Sequence, residues 1–181
     1  IPFDFVRRCL SVIISSNNGL QMITKGAIEE ILNMCTSAED NGNVIPITNQ
    51  LKNNIKNISK KLNQEGMRVI GVCSKILDTT EVDFSVKDES NMTFLGFIGF
   101  LDPPKESAKQ SIKRLNDVGI RVIVLTGDNE YVTKAICEKV NINTKRIVLG
   151  NKLDRMEDTA VLRLLRDTNV FAKLSKIKKA R

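Results

Sequence analysis

Thr126-Gly127-Asp128 sets a hydroxyl, a bare stretch of backbone and a carboxylate side by side, a combination suited to handling phosphate. Before it runs Ile120-Arg121-Val122-Ile123-Val124-Leu125, an aliphatic and β-branched run of the kind that forms a buried strand in a parallel sheet. After it, Val132, Ala135, Ile136 and Val140 recur at helical spacing. Strand, tight polar turn and helix in that order put polar groups at the carboxyl edge of an α/β sheet. Helix N-termini offer unpaired N–H groups to phosphate there. The Thr126 hydroxyl and the Gly127 N–H are both expected to donate to a phosphoryl oxygen. Asp128 is placed to cap the helix that follows.

The composition allows such a site and narrows what it serves. The 181 residues suit one ordinary domain or two small ones, and 41% hydrophobic content suffices for a core. Lys and Arg number 28 against 21 Asp and Glu, a net charge of +7 that fits nucleic acid, an acidic membrane surface or a polyanion such as ATP. Aromatics at 4%, the absence of Trp and the mixing of basic with acidic residues weigh against nucleic acid. Cys9, Cys35, Cys73 and Cys137 form no C-x-x-C pair and the chain has no His, so no metal site is expected and reduced, buried cysteines of a cytosolic setting are. No apolar run approaches the roughly 20 residues of a membrane span. The chain opens at Ile1 within an apolar pattern, as a piece of a longer protein is expected to.

Leu10 to Ile14 and Leu20 to Thr24 read as two strands joined through Asn18-Gly19, a hairpin signal. Ile28, Ile31, Leu32 and Cys35 predict a helix, and Asp40-Asn41-Gly42-Asn43 a turn. Thr48 is the expected cap of a helix with Leu51, Ile55, Ile58 and Leu62 on one face, ended by Gly66. Met67 to Cys73 and Thr93 to Leu101 read as strands around a polar loop. At Asp102-Pro103-Pro104 the pattern changes. Asp102 fits a cap and Pro the first turn of a helix carrying Ala108, Ile112, Leu115 and Val118 inward as far as Gly119. Beyond it strands (120–125, 146–149, 169–172) alternate with helices, which predicts a parallel, doubly wound sheet. The fold class is therefore α/β. An α+β domain with an antiparallel sheet is expected over 1–95, and part of a Rossmann-like parallel-sheet domain over 96–181.

Phe5, Arg7-Arg8, Leu10-Ser11-Val12, Lys25-Gly26-Ala27 and Gly66-Met67-Arg68-Val69, in this order, resemble the nucleotide-binding (N) domain of P-type ATPases. Asp102-Pro103-Pro104, Thr126-Gly127-Asp128-Asn129 and Phe171-Ala172-Lys173-Leu174-Ser175 through Lys179 resemble their phosphorylation (P) domain, a haloacid-dehalogenase-type fold. Pro2-Phe3-Asp4-Phe5 and the segments 101–108 and 124–129 look most like the magnesium-importing branch of bacteria. The resemblance implies an ATP-driven cation pump with an aspartyl-phosphate intermediate and ATP and Mg²⁺ as cofactors. It also implies a place on the cytoplasmic face of the cell membrane, with the rest of the parent chain as partner.

By the same resemblance Phe5 stacks on adenine, and a core Phe is its plain alternative. Lys25 lies beside adenine and ribose, before Gly26, where a missing side chain lets a ligand approach. Arg68 grips polyphosphate with a planar fork suited to it, while Arg8 is either a helper or a surface charge. Asp128 stands near metal and phosphoryl group, and Lys179 neutralises the transferred phosphoryl. Lys176 stands where the family has Pro, so Lys178 competes with Lys179 for that register. Asp102 and Pro103 resemble a hinge. The family's nucleophile, the Asp of Asp-Lys-Thr-Gly-Thr, is absent from the sequence, so this chain is expected to bind nucleotide without turnover.

Three other functions compete. A pump for calcium or another cation shares the same motifs. A soluble haloacid-dehalogenase-type phosphatase requires a nucleophilic Asp with a second Asp two residues on, a context neither Asp4 nor Asp102 has. A basic nucleic-acid-binding module would reveal itself by steep salt dependence.

Overall fold

In the computed structural model, which describes residues 1–16, 19–77, 83–154 and 156–175, Cys9–Ser16 (β1) and Gly19–Gly26 (β2) form the expected antiparallel pair. Their register runs from Cys9 opposite Gly26 to Ser16 opposite Gly19. Alternation along β1 and β2 sends Cys9, Ser11, Met22 and Thr24 inward and leaves Val12 and Ile14 exposed. Ile28–Met34 (α1) buries Ile28, Ile31 and Leu32, but the helix ends before Cys35. Cys35 instead opens Cys35–Asp40 (β3), which turns at Asn41 and Gly42 into Asn43–Pro46 (β4). Both turn residues have positive φ, 50° and 82°, which a two-residue hairpin turn requires and Asn-Gly tolerates.

Thr48 caps Asn49–Gln64 (α2) as expected, its Oγ1 accepting from Leu51 N at 3.1 Å. Ile55 is buried and Leu51 packs on the core as expected, but Ile58 is 48% exposed and the second half of the inward face runs through Ser59 and Asn63, one position on from the predicted residues. Met67–Leu77 (β5), a short 3₁₀ turn at Val86–Asp88 and Met92–Leu101 (β6) follow. The strands make a six-stranded sheet in the order β1-β2-β5-β6-β3-β4. It is mixed rather than purely antiparallel, because β3 and β6 run parallel. One core joins the inner sheet face to α1 and α2, with Met22, Ile31, Leu32, Cys73 and Met92 almost wholly buried.

The rest of the chain is Glu106–Asp117 (α3), Val124–Leu125 (β7), Glu130–Lys139 (α4), Ile147–Leu149 (β8), Gly150–Leu153 (α5), Asp158–Asp167 (α6) and Val170–Ala172 (β9). β7, β9 and β8 form a parallel sheet in that order. The central strand, β9, is fully buried, and Phe171 packs with Val148, Leu153 and Leu174.

Three expectations need correction here. The run 120–125 contributes only a two-residue strand, at an edge of the described sheet, with Ile123 and Leu125 exposed. A strand with one neighbour is half unpaired, whatever its aliphatic content. Leu115 of α3 and Val118 just after it are exposed, at 38% and 72%, while Ala108 and Ile112 are half-buried, so only the first part of the predicted stripe is covered. Lys105, not Asp102, holds the N-cap position of α3, without a side-chain hydrogen bond, and Pro103 and Pro104 precede the helix.

Two compact units result: Ile1–Lys61 with Val69–Phe100, and Leu62–Arg68 with Leu101–Arg181. No helix among the described residues is long and apolar enough to cross a membrane.

Candidate functional site

The second unit holds the Thr126-Gly127-Asp128 turn, between β7 and α4. Its backbone is fixed by the segment after β9: Leu174 N donates to Thr126 O at 2.9 Å and Lys173 N to Asp128 O at 2.8 Å. Gly127 is exposed, and a Cβ there would stand 3.4 Å from Leu174 O, an ordinary contact, so the local packing does not by itself demand the bare residue. Inside the turn, Asp128 N donates to Thr126 Oγ1 at 3.1 Å and Thr126 Oγ1 donates to Asp128 Oδ2 at 3.0 Å. Asp128 therefore does not cap α4. Asn129 does, its Oδ1 accepting from Tyr131 N and Val132 N at 3.0 Å each. The carboxylate is turned the other way and receives Arg68 Nη2 at 2.9 Å.

Arg68 and Asp128, predicted separately, thus meet directly in this unit. Both remain partly open to solvent, at 49% and 25% side-chain exposure, so the pair is screened and exchangeable rather than locked. Beside it Asn129 Nδ2 donates to Asn63 Oδ1 at 3.0 Å. Lys173, which the sequence reading left without a role, pairs with Glu130 in the first turn of α4 at 3.0 Å. Its φ of 54° is left-handed, a signal visible only in the backbone. An anion at the turn would meet the exposed Gly127 and would have to draw Arg68 from Asp128 or Lys173 from Glu130, because Thr126 gives its proton to Asp128 and Asn129 already holds the first N–H groups of α4. Asp102 and Pro103 are exposed, and among the described residues no hydrogen bond or ion pair joins Asp102 to the turn. Lys179, and Lys178 with it, lie outside the described residues.

In the first unit Phe5 is 68% exposed, which removes the alternative of a core Phe. Its ring meets Phe3 edge to face, with centroids 5.1 Å apart. Phe3, itself 49% exposed, is the aromatic that sequence reasoning passed over, although it sits two residues from Phe5. Both line an open cleft of about 460 Å³ with Pro2, Asp4, Arg7 and Val86. Lys25 is exposed on β2, opposite Leu10 of β1. The approach that Gly26 permits is not a ligand's: a Cβ would stand 2.4 Å from Cys9 Sγ and 2.6 Å from Arg8 O. Gly26 serves the close pairing of β2 with β1, opposite Cys9, and Ala27 N donates to Arg8 O at 3.1 Å. Arg8 has a left-handed φ of 55°, and its guanidinium reaches Glu30 at 2.5 Å.

The four cysteines are buried. Burial, with the Glu89 charge second, pushes the Cys9 thiol up to about 11. The Cys35–Cys73 hydrogen bond lowers the first thiol and raises the second. Among the described residues no cluster of His, Cys, Asp or Glu could hold a metal ion, and the turn offers Mg²⁺ a single carboxylate already paired with Arg68. These residues alone do not make a magnesium site.

Comparison with known proteins agrees with the landmarks. Residues 1–107 match the family described as P-type ATPase, cytoplasmic domain N. "Magnesium-transporting ATPase, P-type 1" of Escherichia coli strain K12 is 38% identical over the whole chain, and its namesake in Salmonella typhimurium strain LT2 is 37% identical. "Calcium-transporting ATPase 1" of Bacillus cereus is 31% identical over 97% of the chain. The chain spans 20% of the length of each of these relatives. With the family model covering more than half of it, the chain belongs to the P-type ATPases, within their cytoplasmic domain N family.

Proposed function

We propose that the chain is an adenine-nucleotide-binding and phosphoryl-handling part of an ATP-driven cation pump, with residues 1–95 as nucleotide-binding domain and 96–181 as part of the phosphorylation domain. The observation that carries the reading is the Thr126-Gly127-Asp128 turn. Its hydroxyl, exposed glycine and carboxylate stand at a helix N-terminus, with Arg68 on the carboxylate. An incoming phosphate competes with Asp128 for Arg68, and the bidentate fork of arginine suits both anions. In the first unit, Phe5 offers an adenine a face and Lys25 a charge, with Arg8 and Gly26 shaping the neighbouring backbone. Asp102 and Pro103, exposed between β6 and α3, serve as a hinge. Lys179 is assigned to the phosphoryl group by family likeness.

Magnesium is the favoured cargo, because the magnesium-named relatives are 37–38% identical and the calcium-named one 31%. Calcium stands as the second reading on that same relative. In the parent, ATP and Mg²⁺ drive transport from the cytoplasmic face of the membrane.

Calorimetric titration with ATP, ADP and GTP, beside Lys25→Ala and Arg68→Ala, tests the binding claim. Adenine-selective binding in the micromolar-to-millimolar range, weakened in both variants, is the expected result. Folded wild-type chain without any adenine-nucleotide binding overturns it.

A further inference from the structure

Glu89 is a carboxylate that the reading above leaves without a task, yet its side chain is only 1% exposed. A charge so placed is costly unless it is paired and hydrogen-bonded. Glu89 is. One oxygen accepts from Ser11 Oγ at 2.5 Å, and the other forms an ion pair with Arg7. Ser11 has a single hydroxyl proton and gives it to Glu89. Thr24 Oγ1, 2.7 Å away, must therefore be the donor to Ser11. The chain Thr24, Ser11, Glu89, Arg7 runs from the sheet's inner face out to the loop before β1.

Arg7 is where this chain meets the cleft. Its Nη2 donates to Pro2 O at 3.1 Å and, more weakly, to Cys9 O at 3.4 Å, the two ends of the segment that carries Phe3 and Phe5. Asp4 adds a second clamp, its Oδ1 accepting from Val6 N at 2.5 Å and from Arg7 N at 3.3 Å. Glu89 itself follows the 3₁₀ turn whose Val86 lines the same cleft. A buried acid just beyond the Val86 wall thus fixes a guanidinium that ties down the aromatic loop.

We infer that Glu89, acting through Arg7, is a positioning residue that holds the Phe3–Phe5 loop ready to stack on a purine. This rests on the proposed nucleotide-binding role. Neither residue touches the base. Both reduce the ordering that the loop must undergo on binding, and a preordered loop binds more tightly for that reason.

The test uses the full chain, with Glu89→Gln, Arg7→Lys and Phe5→Ala, and measures affinity for ATP and for CTP by calorimetry. Circular dichroism and thermal melting check that each variant is folded. Arg7→Lys keeps a cation beside Glu89 but gives up the second nitrogen, which reaches the carbonyls of Pro2 and Cys9, so it tests positioning even if Glu89→Gln does not fold. The expected result is an affinity for ATP about tenfold lower in Glu89→Gln and Arg7→Lys, as in Phe5→Ala, with CTP binding unchanged. The preference for purine then collapses. A folded Arg7→Lys that keeps the wild-type ATP-over-CTP ratio overturns the inference, as does an equal loss for both nucleotides. Wild-type chain that binds no ATP overturns the nucleotide reading itself, and the inference with it.

Discussion

At the scale of single residues, buried thiols make the stability of this protein sensitive to alkaline pH. Cys9 ionises at about 11 in the folded chain against an ordinary thiol value of 9.0. Between those values the native state holds a proton that the unfolded state has released, so stability falls as pH rises through the window. Below about 9 the contribution is fully present. Cys73, raised by its hydrogen bond with Cys35, and Cys137, raised by burial, pull the same way, while Cys35 opposes them. Urea unfolding at intervals from pH about 8 to about 11 is expected to show a falling midpoint, with a shallower fall in Cys9→Ala. Equal slopes in both proteins would remove Cys9 from the account.

Gly26 gives a second prediction at this scale. A methyl group there collides with Cys9 Sγ at 2.4 Å and, more seriously, with Arg8 O at 2.6 Å, which is backbone. Gly26→Ala forces β1 away from β2 and is expected to cost about 3 kcal/mol, the upper part of the range for overpacking. A shift in the urea midpoint measures it. Lys25, next in sequence, is exposed, and Lys25→Ala is expected to leave the midpoint within about 0.5 kcal/mol while still weakening nucleotide binding.

At the scale of elements, the caps are the clearest tests. Thr48 and Asn129 each satisfy orphan N–H groups at a helix start, Thr48 with one bond and Asn129 with two. Thr48→Ala is expected to lose about 1 kcal/mol, and Asn129→Ala somewhat more, about 1.5 kcal/mol, since it also gives up Asn63. Thermal melts of the two variants decide the order.

Elements also show what the sequence could say and what it could not. The β1–β2 hairpin, the Thr48 cap and the turn after β7 were all legible, because each is written in local residue types. Strands β3 and β4 were not. Cys35 sits at i+7 from Ile28, so its inward side chain satisfied a helical period while belonging to a strand, and Thr36 to Asp40 is too polar to announce one. The swap between Asp128 and Asn129 has a similar cause. Either can cap a helix, and the choice is made by Thr126 and Arg68, which draw the Asp128 carboxylate away. Periodicity names the residues that share a face, as in α3 and β7, but not what lies against it. Arg8 and Lys173 show the same limit for backbone, since nothing in their residue types announces a left-handed φ.

At the scale of the whole molecule, binding and turnover are expected to part company. A turn such as Thr126-Gly127-Asp128 can hold and polarise a phosphoryl group, but transfer needs a nucleophile to accept it. The Asp-Lys-Thr-Gly-Thr motif that supplies one in P-type ATPases does not occur in the 181 residues. The carboxylate at hand, Asp128, is occupied by Thr126 and Arg68, and an anion held that way is a poor attacking group toward another anion. Incubation with radiolabelled ATP and Mg²⁺ is therefore expected to leave no acid-stable label on the protein and to release no phosphate above buffer, under conditions where calorimetry shows ATP bound. Label that is abolished in Asp128→Asn would overturn this, because it would make Asp128 a nucleophile in its own right. Label that survives in that variant would instead point to an acceptor elsewhere in the chain.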